Sequence, residues 1–234
     1  QYSAKDALEA TVTTKAEGYA TEKNLPLGRY YVKEKNAPDT YVLNTVSENV
    51  EFAYADQDTA VIEKEISVTD ERQKVSITVE KQDAETGNTV AGAVFGIYNA
   101  KDIQTKDGNV IVKADTLLQE MTSDEYGQAA CTLDLPLGSY YVKELKAPDG
   151  FVLSEEVLRF DASYQGQEVQ MVKLKSAVKN QPTTVEITKS DATTGVELDG
   201  AYLIVSDKDG YVVASWKSSK EAPHVIKYLK VGEN

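Results

Sequence analysis

Three strand-like runs each lead to a polar residue where an apolar one is due. Residues two apart on a strand share a face. Val75, Ile77 and Val79 therefore carry Lys81 onto their side, Tyr140 and Val142 carry Glu144, and Val172, Leu174 and Val178 carry Asn180. Removing a lysine and a carboxylate from water is costly and favours the neutral form of each. A neutral amine is a nucleophile, and a protonated acid can donate to an amide carbonyl and shuttle protons. Lys81 held against Asn180 can then attack its side-chain carbonyl and expel ammonia once, helped by the effective concentration a rigid core imposes. The competing reading makes each residue a strand end that has reached solvent, since Lys and Glu are rarely buried unpartnered.

Internal repetition weighs against independent fraying. The segment Leu25–Leu43 recurs as Leu135–Leu153, an offset of 110 residues, and Val75–Gly87 is echoed by Val185–Gly195 when their lysines are matched. Units of this length are whole domains, not solenoid turns. The first unit repeats the inward acid, with Tyr30 and Val32 leading to Glu34, and has Ile62, Ile66 and Val68 leading to Asp70 where the middle unit has Asn180. The third repeats the inward lysine, with Val185 and Ile187 leading to Lys189. The expected division is 1–74, the C-terminal part of a first domain; 75–181, a complete domain; and 182–234, the N-terminal part of a third. The first unit's lysine then falls upstream of Gln1, with Lys5 and Lys15 as fallback candidates. The third stops at Val231-Gly-Glu-Asn234, before its acid and acceptor strands.

The elements that must hold these residues read as short strands. Runs of Val, Ile, Tyr and Thr alternate with turn signals at Asp107-Gly-Asn109, Asp149-Gly150 and Asp209-Gly210, and no long 3.6-residue periodicity is present. The expectation is an all-β chain of tandem sandwiches.

Charge and composition narrow the function. The 234 residues are 41% apolar and carry 25 Lys plus Arg against 38 Asp plus Glu, a net charge of −13, which disfavours nucleic acid and anionic membrane as partners. No apolar run is long enough to span a membrane, no signal peptide or lipidation motif is evident, and Gln1 in place of Met reads as a trimmed piece. Cys131, sharing parity with Ala129 and Leu133, reads as a small buried side chain. His224 is the one histidine and has no metal-spaced partner, so no metal and no cofactor are expected. Asp207-Lys-Asp-Gly210 reads as a turn and not half a calcium loop. Leu25-Pro-Leu-Gly28 and its repeat lack the Thr of a sorting signal. Trp216, Tyr202 and Tyr211 are a candidate ligand patch whose bland reading is packing. Turnover catalysis has little support in these residues.

Lys81-Gln-Asp with Thr86-Gly, Ala91-Gly-Ala-Val-Phe95-Gly-Ile-Tyr98, Thr122-Ser-Asp-Glu-Tyr-Gly127, Leu135-Pro-Leu-Gly-Ser-Tyr-Tyr-Val-Lys-Glu144 and Ala147-Pro-Asp-Gly-Phe151 resemble the Cna B-type and SpaA-type domains of Gram-positive adhesins and pilins. The resemblance implies immunoglobulin-like or prealbumin-like sandwiches. It also implies a first-strand Lys joined to a last-strand Asn or Asp under catalysis by an acid between them. Carried over, Lys81 joins Asn180 with Glu144 as catalyst. Glu34 and Asp70 are the first-unit equivalents, losing water instead of ammonia, and Lys189 is a third-unit donor without acid or acceptor. The implied role is a pilin or adhesin stalk on the wall-anchored, extracellular surface of a Gram-positive bacterium, with neighbouring repeats as partners. The alternatives are repeats that themselves bind a host protein or glycan through their loops, and an accessory module of a surface enzyme.

Overall fold

The computed structural model describes residues 4–105 and 107–230; Gln1 and the closing Val231–Asn234 lie outside the described residues. The described residues form fifteen strands and no helix. In chain order they are β1 (Gly28–Lys33), β2 (Ser47–Phe52), β3 (Lys74–Asp83), β4 (Val94–Asn99), β5 (Ile103–Gln104), β6 (Val110–Val112), β7 (Leu117–Thr122) and β8 (Gln128–Ala130). They continue as β9 (Gly138–Lys146), β10 (Val157–Ala162), β11 (Met171–Asn180), β12 (Thr184–Ile187), β13 (Tyr202–Ser206), β14 (Val212–Lys217) and β15 (His224–Lys227).

Strands β3 to β11 build a two-layer sandwich. One sheet runs β10-β9-β4-β7 and the other β11-β3-β8. Strict alternation drives this: in β3 every second residue from Val75 to Asp83 is buried, and Val75, Ile77 and Val79 meet Phe95, Ile97, Tyr140, Val142 and Val172 between the sheets. Each such side chain contributes about 1.5–3 kcal/mol on burial. β11 lies parallel to β3, so the first and last strands of the sandwich are neighbours, with Val178 beside Lys81 and Asn180 beside Asp83.

The flanking units are less complete. β1 pairs with β2, β12 with β15, and β13 with β14, each as a two-stranded ribbon. The expected last strand of the first unit is not formed: residues 61–70 make no ladder, and Val61 and Val68 are exposed. A last strand of this kind is held by the parallel first strand, and none lies beside 61–70 among the described residues. The turns at Asp107-Gly-Asn109 and Asp209-Gly210 do close the hairpins β5–β6 and β13–β14. Asp149-Gly150 instead turns the long connection from β9 to β10. Leu133 is exposed, because β8 ends at Ala130 and strand parity ceases there, while Cys131 half-buries against the core with its thiol pushed up by that burial.

Candidate functional site

Lys81, Glu144 and Asn180 meet in the sandwich interior with relative exposures of 0%, 5% and 2%. β3 and β11 supply Lys81 and Asn180 from adjacent parallel strands of one sheet, and β9 presents Glu144 from the other, opposite Phe95 of β4. The backbone of Lys81 is fixed on both sides: its N–H donates to Gly127 O at 2.7 Å and its carbonyl accepts from Val90 N at 3.0 Å. Gly127 sits at φ +73°, and a Cβ there would lie 2.7 Å from the Lys81 carbonyl, so only glycine permits this approach.

The side chains interlock. Asn180 Nδ2 donates to Glu144 Oε1 and Oε2 at 2.9 and 2.7 Å, and Glu144 Oε2 also accepts from Ser154 N at 2.7 Å. Asn180 Oδ1 is buried without a partner. An orphaned acceptor costs about 1–3 kcal/mol. The sequence predicts a protonated acid donating to the amide carbonyl; instead the amide nitrogen faces an accepting carboxylate. A half-turn of the amide, with Glu144 protonated, would bring Oδ1 into the same contact.

Lys81 Nζ donates to Gln82 O at 2.8 Å and lies 5.3 Å from the centre of the Phe151 ring, which roofs it. Burial pulls the Lys81 pKa down, against the opposing pull of the Glu144 and Asp83 charges. Asp83, next inward on β3, is itself buried and held ionised by Glu85 N, Thr86 and the Tyr228 hydroxyl in spite of its desolvation. Asp83 and Phe151 were not singled out from the sequence as site residues. The signals were there: Asp83 continues the parity of Lys81, and Phe151 matches Tyr41 in the repeat.

The flanking units hold parts of this arrangement. Glu34 accepts from Asn44 N at 2.8 Å, as Glu144 does from Ser154, and Asp70 lies against it with Oδ1 buried and unpartnered. Burial raises the Glu34 pKa, the Asn44 N–H opposes this, and the charge and hydrogen bonding of Asp70 add to the rise. Lys5 and Lys15 are exposed and bond neither acid; Lys15 lies over the Tyr19 ring. Lys189 donates to Ser190 O at 3.3 Å, the same contact as Lys81 to Gln82 O, but is exposed, and among the described residues it bonds neither a Glu nor an Asn.

The other candidates do not assemble a site. Trp216 pairs across the ribbon with Leu203 while Tyr202 pairs with Lys217, so the two aromatics face opposite sides, and Trp216 stacks instead on His224 at 4.1 Å. Asp207 spends its carboxylate on Asp209 N and Tyr211 N in a turn. Among the described residues no cluster of three His, Cys, Asp or Glu could hold a metal.

A family model described as the SpaA prealbumin-like fold domain matches residues 2–69 and again 75–175. The chain is 27% identical over 124 residues to the trypsin-resistant surface T6 protein of Streptococcus pyogenes serotype M6, covering 53% of this chain and 20% of that protein. The structure of the Bacillus anthracis TIE protein superposes with a TM-score of 0.57 at 30% identity, covering 92% of this chain and 37% of that one. The chain thus spans well under half the length of either relative.

Proposed function

Because this chain belongs to the SpaA prealbumin-like fold domain family, we propose that it is a stretch of tandem stalk domains of a Gram-positive cell-surface protein, with its middle domain locked by an isopeptide bond from Lys81 Nζ to Asn180 Cγ. The units are the C-terminal part of a first domain (1–74), a complete domain (75–181) and the N-terminal part of a third (182–234). The observation that carries the reading is the joint burial of an amine, a carboxyl and an amide at the adjoining ends of the first and last strands.

The chemistry balances without a cofactor. A proton passes from Lys81 to Glu144, leaving a neutral amine and a neutral acid; desolvation of Lys81 favours this. Nζ adds to Asn180 Cγ while the acid hydrogen-bonds the amide oxygen. The Cγ–Nδ2 bond then breaks as Glu144 returns the proton to Nδ2, and ammonia leaves, taking up the second proton of the original ammonium. The middle domain reacts once. Glu34 and Asp70 are the corresponding acid and acceptor of the first domain, where water is the leaving group.

The position of the bond explains its use. Force enters the sandwich at the start of β3 and leaves at the end of β11. A link between Lys81 and Asn180 lets it cross directly, so residues 82–179 carry none. The same tie closes a loop of about 100 residues, which in the chain-entropy account stabilises by about 4.7 kcal/mol. The streptococcal relative is named for trypsin resistance and for its surface location, both in keeping with a locked stalk. Digestion of the denatured chain should release one branched peptide joining the Lys81 and Asn180 segments; linear peptides alone, each carrying its free side chain, would refute the bond.

A further inference from the structure

The joint between the middle and third units is built over the Lys81 site. Tyr228, just after β15, donates its hydroxyl to Asp83 Oδ2 at 2.8 Å, and its ring meets Phe151 edge-on at 5.5 Å. Phe151 is therefore held between the Tyr228 ring and the Lys81 amine. Around this contact Lys227 Nζ binds both oxygens of Glu85 at 2.6 and 2.8 Å, and Lys230 pairs with Asp149 at 3.0 Å. Thr183 ties the strands together: its hydroxyl bonds Leu229 O at 2.6 Å and its carbonyl accepts from Tyr228 N at 2.9 Å. Gly150 makes the fit permissible, since a Cβ there would come within 2.8 Å of Tyr228 O.

The repeat supplies an internal contrast. Ile187 pairs with His224 in the third unit and Val79 with Ala129 in the middle one, and both Ile187 and Val79 lie two residues before their lysine. Tyr228 therefore corresponds to Leu133, which has no hydroxyl to offer and is exposed. The hydroxyl-to-carboxylate contact belongs to the second joint.

Building on the cross-link reading above, we propose that the third unit is a positioning element for the middle domain's bond. Its docking seats Tyr228 on Phe151 and Asp83, which fixes the roof over Lys81 Nζ, keeps water out and makes bond closure follow the seating of the next repeat. Tyr228 acts through Phe151 and touches none of the reacting atoms. A loosely held roof lets the amine leave its attacking position, and displacements of about 1 Å in such geometries can slow a reaction by up to about a hundredfold.

The test follows ammonia loss by intact mass after pulse synthesis of the full 1–234 chain in a cell-free system. Tyr228→Ala should slow closure on the order of tenfold yet end, like the wild type, one ammonia below its own calculated mass. Tyr228→Phe, which keeps the ring and folds alike, should fall between the two, and Lys227→Ala, which removes a docking ion pair without touching the Phe151 ring, should also slow it. Closure of Tyr228→Ala and Tyr228→Phe at the wild-type rate would overturn the coupling while leaving the cross-link intact. A wild-type chain that never loses ammonia would instead overturn the cross-link reading itself.

Discussion

The first unit and the middle sandwich share their local devices and differ in what faces them. Tyr30 and Tyr140 each donate to a proline carbonyl four residues earlier, at 2.7 and 2.6 Å, and Glu34 and Glu144 each accept from the backbone N–H ten residues on. Yet Val32 is 40% exposed and its counterpart Val142 is 0% exposed. The middle unit has β3 and β11 packed across from β9, and nothing equivalent lies over β1 among the described residues. Local sequence thus aims the acid inward, and the opposing sheet turns that aim into burial.

The sharpest way to break this contrast is to remove the acceptors in turn. Asn180→Ala should cost on the order of 5 kcal/mol in denaturant unfolding, combining the lost loop constraint with an unpaired buried lysine. Asp70→Ala should change stability by under about 1 kcal/mol, since it relieves a carboxyl pair on a half-open ribbon. Equal losses would mean that the middle domain draws nothing special from its triad.

The pH dependence of that variant sharpens the point. Lys81 in Asn180→Ala stays titratable with a folded pKa below its unfolded value of 10.5. Its contribution to stability is present above the unfolded value and is lost as pH falls through the folded one, so urea midpoints should drop as pH is lowered from about 10.5. Under the proposed bond, Lys81 of the wild type no longer titrates and that slope should vanish. Glu34 behaves oppositely: its folded pKa lies above 4.5, so its contribution is full below 4.5 and lost as pH rises through the folded value. Amide protection in β1 should follow that course.

Smaller effects separate the paired tyrosines and the paired joints. Tyr140→Phe should cost about 1–1.5 kcal/mol, and Tyr30→Phe, half-exposed, clearly less; thermal melts of both would show the order. Thr40 holds φ +77° where the repeat has Gly150 at +84°. Such a conformation is strained for a β-branched residue, so Thr40→Gly should stabilise the first joint by about 1 kcal/mol. No gain in protection at Gln73 N, which bonds Thr40 O at 2.8 Å, would count against this.

Much of the interior was legible because β3, β9 and β11 alternate strictly, so parity alone set Lys81, Glu144 and Asn180 among core residues. Parity failed at Leu133 and along 61–70, where no ladder enforces the two-residue period. The turn chemistry of Asp209-Gly210 was readable from composition, whereas the use of Gly150 was not, since what it admits is the backbone of Tyr228, seventy-eight residues further along the chain. Tyr228 itself carried no sequence signal, because its role arises only when two units dock.

The most direct test is the intact mass of the denatured wild-type chain beside Glu144→Ala. The account predicts a wild-type mass lower than the sequence value by one ammonia, and the full sequence mass in the variant. A wild-type chain at its full calculated mass would contradict it.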